Sequence, residues 1–281
     1  MIHIAHTPRV LTIAGSDSGG GAGIQADLKA FARCGVHGTS AITAITAQNT
    51  LGVSAVHSIP PAIILAQVRA VIADIGVDAV KVGMLGTVEA ARAVVEALDE
   101  LPAGTPVVVD PVMVAESGAR LLDPEAEDAL VAEILPRATI LTPNLPEAHA
   151  LARHASSAAR RAAQTEPAVA RAVLSLGPRI VVLTGGHRAQ AVDLFLDSAN
   201  PEQIVSIPGE RHPDGAAHGS GCTHSSVLAA QLALGREPLQ AAFAARALTG
   251  AAVADGLRDV GEGPGPVDVI GLARMRSREA R

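Results

Sequence analysis

The sequence predicts an α/β fold with a mostly parallel central sheet, and three observations carry that expectation. Short apolar runs of strand length alternate with helical stretches along most of the chain. Polar residues recur where those runs end: Asp17, Gln48, Asp110, Asn144 and Glu147. The core must be aliphatic, because 48% of residues are hydrophobic while Phe31, Phe195 and Phe243 are the only Phe, Tyr or Trp. Small aliphatic side chains suit helices packed closely on a parallel sheet. With no internal repeat and no linker, residues 1–281 are expected to form one domain, with a core over 10–255 and a charged, fraying tail over about 272–281.

Composition excludes several function classes. The net charge is −6 and no basic tract is long enough to track a phosphate backbone. Without Trp or Tyr to stack on bases, nucleic-acid binding is not expected. No apolar run reaches the roughly 20 residues that span a bilayer, and Met1 to Arg9 lacks the basic start and apolar stretch of a signal peptide. Cys34 and Cys222 are far apart and form no metal or redox motif, which suits a reducing, cytoplasmic setting.

Along the chain, Val10 to Ala14 reads as a strand, Gly15 to Gly23 as a glycine-rich turn, and Ile24 to Arg33 as a helix. That layout holds a polar ligand at a strand's carboxyl end. It is not a P-loop, which closes on Gly-Lys-Ser/Thr. Nor is it a dinucleotide fingerprint, which needs an acidic residue about 20 positions on; none occurs from Leu28 to Ala73. A strand from Thr39 to Ala47 ends in Gln48-Asn49-Thr50, whose amides either face a heterocycle or cap a turn. A helix follows from Pro60 and Pro61 to about Ile75, then a buried strand from Ala79 to Val82 ending in Gly83-Met84, and a helix from Val88 to Leu98.

Pro106 to Val109 is a buried strand with Asp110 directly after it, Leu121 to Ile134 contains a helix, and the strand Thr139 to Leu141 leads into Thr142-Pro143-Asn144-Leu145-Pro146-Glu147. Any one of the strand-end polar residues could be a helix cap or a turn former. Five at equivalent places point to one shared crevice, in which Asp110, Asn144 and Glu147 offer oxygen ligands suited to Mg²⁺, directly or through water. Ala155 to Ala170 reads as a loop entering a solvated helix. The strand Ile180 to Leu183 ends in Thr184-Gly185-Gly186-His187, and Ala191 to Leu196 with Gln203 to Ile207 forms a hairpin. That late hairpin favours an open sheet over a closed (β/α) barrel.

His218-Gly219-Ser220-Gly221-Cys222-Thr223 precedes helices at Ser225 to Leu234 and about Leu239 to Asp255. Two glycines let backbone N–H groups converge, and a helix opening at Cys222 or Thr223 favours an anion there. The stretch reads either as an oxyanion or phosphate cradle with Cys222 at its rim, its pKa lowered by the helix start, or as a tight turn with Cys222 as a small buried hydrophobe.

Together these stretches resemble the hydroxymethylpyrimidine/phosphomethylpyrimidine kinases of thiamine biosynthesis, within the ribokinase-like superfamily. The elements that carry the resemblance are the run Ala14 to Asp27, Thr46 to Thr50, Lys81-Val82-Gly83-Met84-Leu85, Asp110-Pro111-Val112-Met113, Thr142 to Ala148, Gly185-Gly186-His187 and Gly219 to Cys222. The resemblance implies a ribokinase-like three-layer α/β/α sandwich that phosphorylates a pyrimidine's hydroxymethyl group with ATP and Mg²⁺, and then phosphorylates the resulting monophosphate. It admits a monovalent cation as activator and implies a homodimer. On this reading Gly219, Ser220, Gly221 and Cys222 are catalytic, with Cys222 where most of the superfamily has an aspartate base. Asn144 and Glu147 organise Mg²⁺ with Asp110 assisting. Asn144, Thr184 and Gly186 meet the nucleotide, while Asp27, Gln48 and Met84, with Gly15 and Val112, contact the pyrimidine.

The chain departs from the family at Thr184 and at Glu116, where lysine is usual, at Ser220 for the usual threonine, and over Glu210 to Ala217. Two lost cations at a phosphate site would cost about 1–3 kcal/mol each, so the second phosphorylation, on the more anionic substrate, is the more exposed. The rival readings are a pyridoxal or pyridoxamine kinase and a catalytically silent pyrimidine-binding relative. Against the silent reading, Asp110, Asn144, Glu147 and Cys222 are all present.

Overall fold

In the computed structural model, which describes residues 6–114, 121–186, 191–213 and 215–279, the chain is built on one sheet. Glu116 and His187 lie outside the described residues. The strands are β1 (Arg9–Asp17), β2 (His37–Asn49), β3 (Gly52–Ser58), β4 (Ala79–Val82), β5 (Val107–Val109), β6 (Ile140–Leu141), β7 (Ile180–Leu183), β8 (Asp193–Asp197) and β9 (Ile204–Ile207). The helices are α1 (Gly23–Cys34), α2 (Pro61–Ala70), α3 (Val88–Asp99), α4 (Pro124–Ala129), α5 (Leu145–Ala152), α6 (Ser157–Ala162), α7 (Glu166–Leu174), α8 (Ser220–Ala233), α9 (Pro238–Ala254) and α10 (Leu272–Glu279). Wider π-type turns extend α2 over Val71–Ile75 and α4 over Leu130–Ile134.

The sheet order is β3-β2-β1-β4-β5-β6-β7-β8-β9. The strands from β2 to β7 in that order run parallel, while β3, β8 and β9 pair antiparallel at the two sides. The sheet is open, as the late hairpin predicted. Its middle strands are buried along their whole length because helices cover both faces. Their residues divide by alternation: Val80, Val82, Val107 and Val109 pack with α2, α3, α5 and α7, whereas Ala79, Val108 and Val182 pack with α1, α8 and α9. Three layers result, as expected.

After β1 the chain steps to β2 on one side, and then returns to β4 on the other. Open α/β sheets form their ligand crevice at the carboxyl ends flanking such a reversal. Here those ends carry the glycine-rich turn after β1, Met84 after β4 and Asp110 after β5.

Four stretches differ from the sequence reading. β3 is an antiparallel edge strand whose side chains are mostly exposed, so it has no apolar alternation to betray it. α5 starts within the Pro-rich stretch read as a turn, because Asn144 and Glu147 build a capping box around its first turn. The stretch read as a loop and solvated helix is two helices, α6 and α7, and α7 buries Val169, Ala170 and Val173. The charged tail expected to fray is helical over Leu272–Glu279, its first N–H groups bonded to the Asp268 carboxylate.

Candidate active site

α8 opens at Ser220, two or three residues before the start expected at Cys222 or Thr223, which places Cys222 in its first turn. Gly219 caps it in the left-handed conformation, φ +81°, and a Cβ there would lie 1.8 Å from Gly21 O. Only glycine fits at this position. Among the described residues the N–H groups of Gly221 and Cys222 have no acceptor, as the first turn of a helix dictates. The crossing at Gly219 presses the start of α8 against the glycine-rich turn after β1.

That turn is closed by its own carboxylate. Asp17 Oδ1 accepts from Gly19 N–H at 2.7 Å, and Oδ2 accepts from Gly21 and Ala22 N–H at 3.0 and 2.8 Å. His218 Nε2, just before the cradle, lies 3.1 Å from the same Oδ2. Burial pushes the Asp17 carboxyl up, but His218 and the loop amides outweigh it and hold the group below the usual carboxylate range. Asp17, expected to face the shared crevice, therefore turns inward to its own loop. Close by, Gly15 meets the Met84 Cε methyl, whose backbone carbonyl accepts from Thr43 Oγ1 at 2.6 Å. Gln48 Oε1 accepts from Thr46 Oγ1 at 3.1 Å, and Thr46 Oγ1 also donates at 2.9 Å to Ser16 O, next to Gly15. Val112 follows Asp110 as a half-buried residue of the next strand end.

Asp27 is placed differently from the expected pyrimidine contact. Its carboxylate has no exposed surface and is surrounded by Lys81 Nζ at 3.0 and 3.1 Å, Thr12 Oγ1 at 2.6 Å and Ser226 Oγ at 2.6 Å. It lies beneath the crevice, because position 27 on α1 faces the sheet. The buried ion pair with Lys81 is what the motif reading missed. The signal was in the sequence: a lysine inside the otherwise apolar strand Ala79-Val80-Lys81-Val82 demands a buried acid. Burial alone would lower the Lys81 pKa; Asp27, then Cys222 and Asp110, raise it well above the usual range.

Across the crevice, Asn144 and Glu147 form the capping box of α5. Asn144 Oδ1 accepts from Glu147 N–H at 2.9 Å, and Glu147 Oε2 accepts from Asn144 N–H at 2.9 Å. The side-chain oxygen expected to serve a metal is thus engaged in the helix cap. Thr184 N–H bonds Pro143 O at 2.9 Å and so pairs with the Asn144 segment, which brings Asn144, Thr184 and the exposed Gly186 together at adjacent strand ends. Asp110, buried, accepts from Ser225 Oγ at 3.0 Å on Oδ2, which lies 3.9 Å from where a Cβ at Gly221 would sit.

Asp110 and Glu147 repel one another. Burial first, and then the Asp110 charge, push the Glu147 carboxyl up to about 8. Burial likewise raises Asp110, against the opposing pull of Lys81. Two acids sharing an under-compensated site fit a hard cation. Among the described residues no three His, Cys, Asp or Glu side chains converge to hold a metal ion.

Cys222 overturns one expectation. The helix start was expected to depress its pKa, yet burial first, with Asp110 and Asp27 adding to it, pushes the thiol up to about 12. Lys81 and a hydrogen bond from Gly23 N–H oppose the rise without reversing it. Part of the residue's surface stays exposed.

A sequence profile of the family described as phosphomethylpyrimidine kinase matches residues 17–268. A hydroxymethylpyrimidine/phosphomethylpyrimidine kinase of Rhizobium meliloti is 46% identical over 266 residues, covering 93% of this chain and 96% of the relative. Among solved structures, phosphomethylpyrimidine kinase from Clostridium difficile aligns with TM-score 0.70 at 40% identity, over 85% of this chain and 96% of that one. An ADP complex of Bacillus subtilis pyridoxal kinase aligns with TM-score 0.81 at 35% identity, over 96% of this chain and all (100%) of that one. Matched along most of its length in sequence and architecture, the chain belongs to the phosphomethylpyrimidine kinase family.

Proposed function

We propose that the chain uses ATP to phosphorylate 4-amino-5-hydroxymethyl-2-methylpyrimidine, and then its monophosphate, in thiamine biosynthesis. The observation that carries this reading is the start of α8: two free N–H groups at a helix N-terminus, flanked by Cys222 and by Asp110. Phosphoryl transfer is mostly positioning and charge stabilisation, which such a cradle supplies. Gly219, Ser220, Gly221 and Cys222 would surround the transferring group. Gly15, Gln48, Met84 and Val112 would hold the pyrimidine, and Asn144, Thr184 and Gly186 the nucleotide. Asp110 and Glu147 would hold Mg²⁺, which when bound supplies countercharge to the phosphates. Asp27 and Lys81 support the floor from below.

Cys222 enters this scheme as a neutral thiol at neutral pH. A loose transition state leaves the substrate hydroxyl its proton until late. A neutral thiol already holds its proton, so Cys222 could accept the hydroxyl proton only after giving up its own, which requires that the burial and the field of Asp110 and Asp27 be offset.

Free Cys34 and Cys222 support a cytoplasmic setting, and no described helix is long and apolar enough to cross a membrane. Exposed Ile45 and Val56 on the β2–β3 hairpin support a homodimer, which sedimentation velocity would test.

The experiment is a mass-resolved product assay with hydroxymethylpyrimidine, Mg-ATP and competing pyridoxal, beside Cys222→Ala. Mono- and diphosphate, both lost in the variant, are the expected result. Monophosphate alone would trace to the missing lysines at 116 and 184. Pyridoxal phosphate as main product would overturn the pyrimidine assignment, and no product would overturn the kinase reading. Rates that differ between potassium and sodium buffers would support a monovalent-cation site.

A further inference from the structure

Asp193, the first residue of β8, is fully buried between two parts of this site. Its Oδ1 accepts from Gly185 N–H at 2.7 Å, in the turn that leaves β7 after Thr184. Its Oδ2 lies 3.2 Å from His224 Nε2 on α8, two residues beyond Cys222. That contact is poorly aligned, and among the described residues neither Asp193 Oδ2 nor either ring nitrogen of His224 has a well-formed hydrogen bond. From α9, Arg246 reaches the same place. Its Nη2 donates to Ala191 O at 2.7 Å, and its Nε lies 4.0 Å from Asp193 Oδ1. One carboxylate thus touches the backbone at Gly185 and lies beside the helix that presents the cradle and the arginine that holds Ala191, just before β8.

We propose that Asp193, with His224 and Arg246, is a positioning set that fixes the turn after β7 against α8 and thereby sets the spacing between nucleotide and phosphoryl cradle. The inference rests on the nucleotide role proposed above for Thr184 and Gly186. A buried acid with imperfectly matched partners is a poor way to stabilise a core, since apolar side chains of similar volume do as well or better. What the charged set provides is direction: Gly185 N–H is aimed, and the turn is tied to one register of α8. Small errors in such spacing are costly to transfer, because a misplacement of about 1 Å can cost on the order of 100-fold in rate.

The test compares the wild-type chain with Asp193→Asn, His224→Leu and His224→Gln, using steady-state kinetics in ATP and in hydroxymethylpyrimidine, ADP calorimetry and melting temperature. Asp193→Asn and His224→Leu are expected to raise KM for ATP about tenfold while KM for the pyrimidine stays within about twofold. His224→Gln, which returns a donor to Asp193 Oδ2, should restore most of the loss. A parallel rise in both KM values, a fall in melting temperature with KM for ATP unchanged, or a glutamine no better than leucine would overturn the proposal. If Asp193→Asn does not fold, the two His224 variants decide alone. Failure of the nucleotide reading looks different: the wild-type chain itself would bind no ADP and show no saturable ATP dependence, which overturns both.

Discussion

Two glycine-rich turns face each other across Gly219 and Gly21, and only one of them is open to an anion. The turn after β1 gathers three N–H groups, from Gly19, Gly21 and Ala22, and fills them with the Asp17 carboxylate. The turn before α8 presents Gly221 and Cys222 N–H to the crevice with no acceptor among the described residues. The carboxylates divide the same way. Asp17, amply bonded, is held below its usual range, while Glu147 near the open cradle is pushed up to about 8. Glycine content marks where the backbone can converge; whether a carboxylate sits at the point of convergence decides whether a phosphate can.

The most severe break of this contrast is Gly219→Ala. A left-handed conformation costs a non-glycine residue about 1–3 kcal/mol, and the added Cβ would collide with Gly21 O. Kinase activity should fall by on the order of 1000-fold, as when a preorganised oxyanion site is lost, and retention of more than about a tenth would show that the cradle is not the transfer site.

Lys81→Met attacks the floor shared by both turns. Leaving Asp27 buried and unpaired should destabilise the fold by about 3–5 kcal/mol, read by urea denaturation. Pairing it with Asp27→Leu should recover most of that loss, and a double variant as unstable as the single would break the account.

Asp17→Ala sharpens the comparison itself. Emptying the closed turn should cost about 1–3 kcal/mol and create a second anion site. Added sulfate should then raise the melting temperature of the variant more than that of the wild-type chain, and equal shifts would mean that the turn collapses rather than opens.

The smallest effect concerns pH and Mg²⁺. The raised Glu147 pKa favours the folded state below the unfolded value, near 4.3, and that contribution is lost as pH rises through about 8. Asp17 has the opposite sign, stabilising at neutral pH and losing its effect only as pH falls below the usual carboxylate range. Mg²⁺ should therefore raise the melting temperature by a few degrees more at pH 8.5 than at pH 6, in the manner of any ligand of the native state. Equal shifts, or none, would remove Glu147 from the cation site.

Most of the frame was legible because parallel strands covered on both faces are written as unbroken apolar runs, as in Val107–Val109 and Ile180–Leu183. β3 was not, since an exposed edge strand has no buried side to mark it. The crevice was legible as polar residues at strand ends, and the structure gathers Asp110, Asn144, Glu147 and Thr184 there. Direction was not legible. Asp27 and Asp17 look like Asp110 in sequence, yet one is enclosed by Lys81, Thr12 and Ser226 and another by its own loop. Cys222 failed for a related reason: the helix start was visible in sequence, whereas the burial that outweighs it, with the charges of Asp110 and Asp27 adding to it, depends on distant parts of the chain.

The capping box of α5 has a consequence of its own. Glu147 and Asn144 each hold the other's backbone N–H, so the same two side chains begin a helix and border the crevice. A ligand that turns either side chain outward unties the first turn of α5, and its binding strength is reduced by whatever that knot was worth. Conversely, anything that tightens α5, several residues from the chemistry, weakens the grip on that ligand.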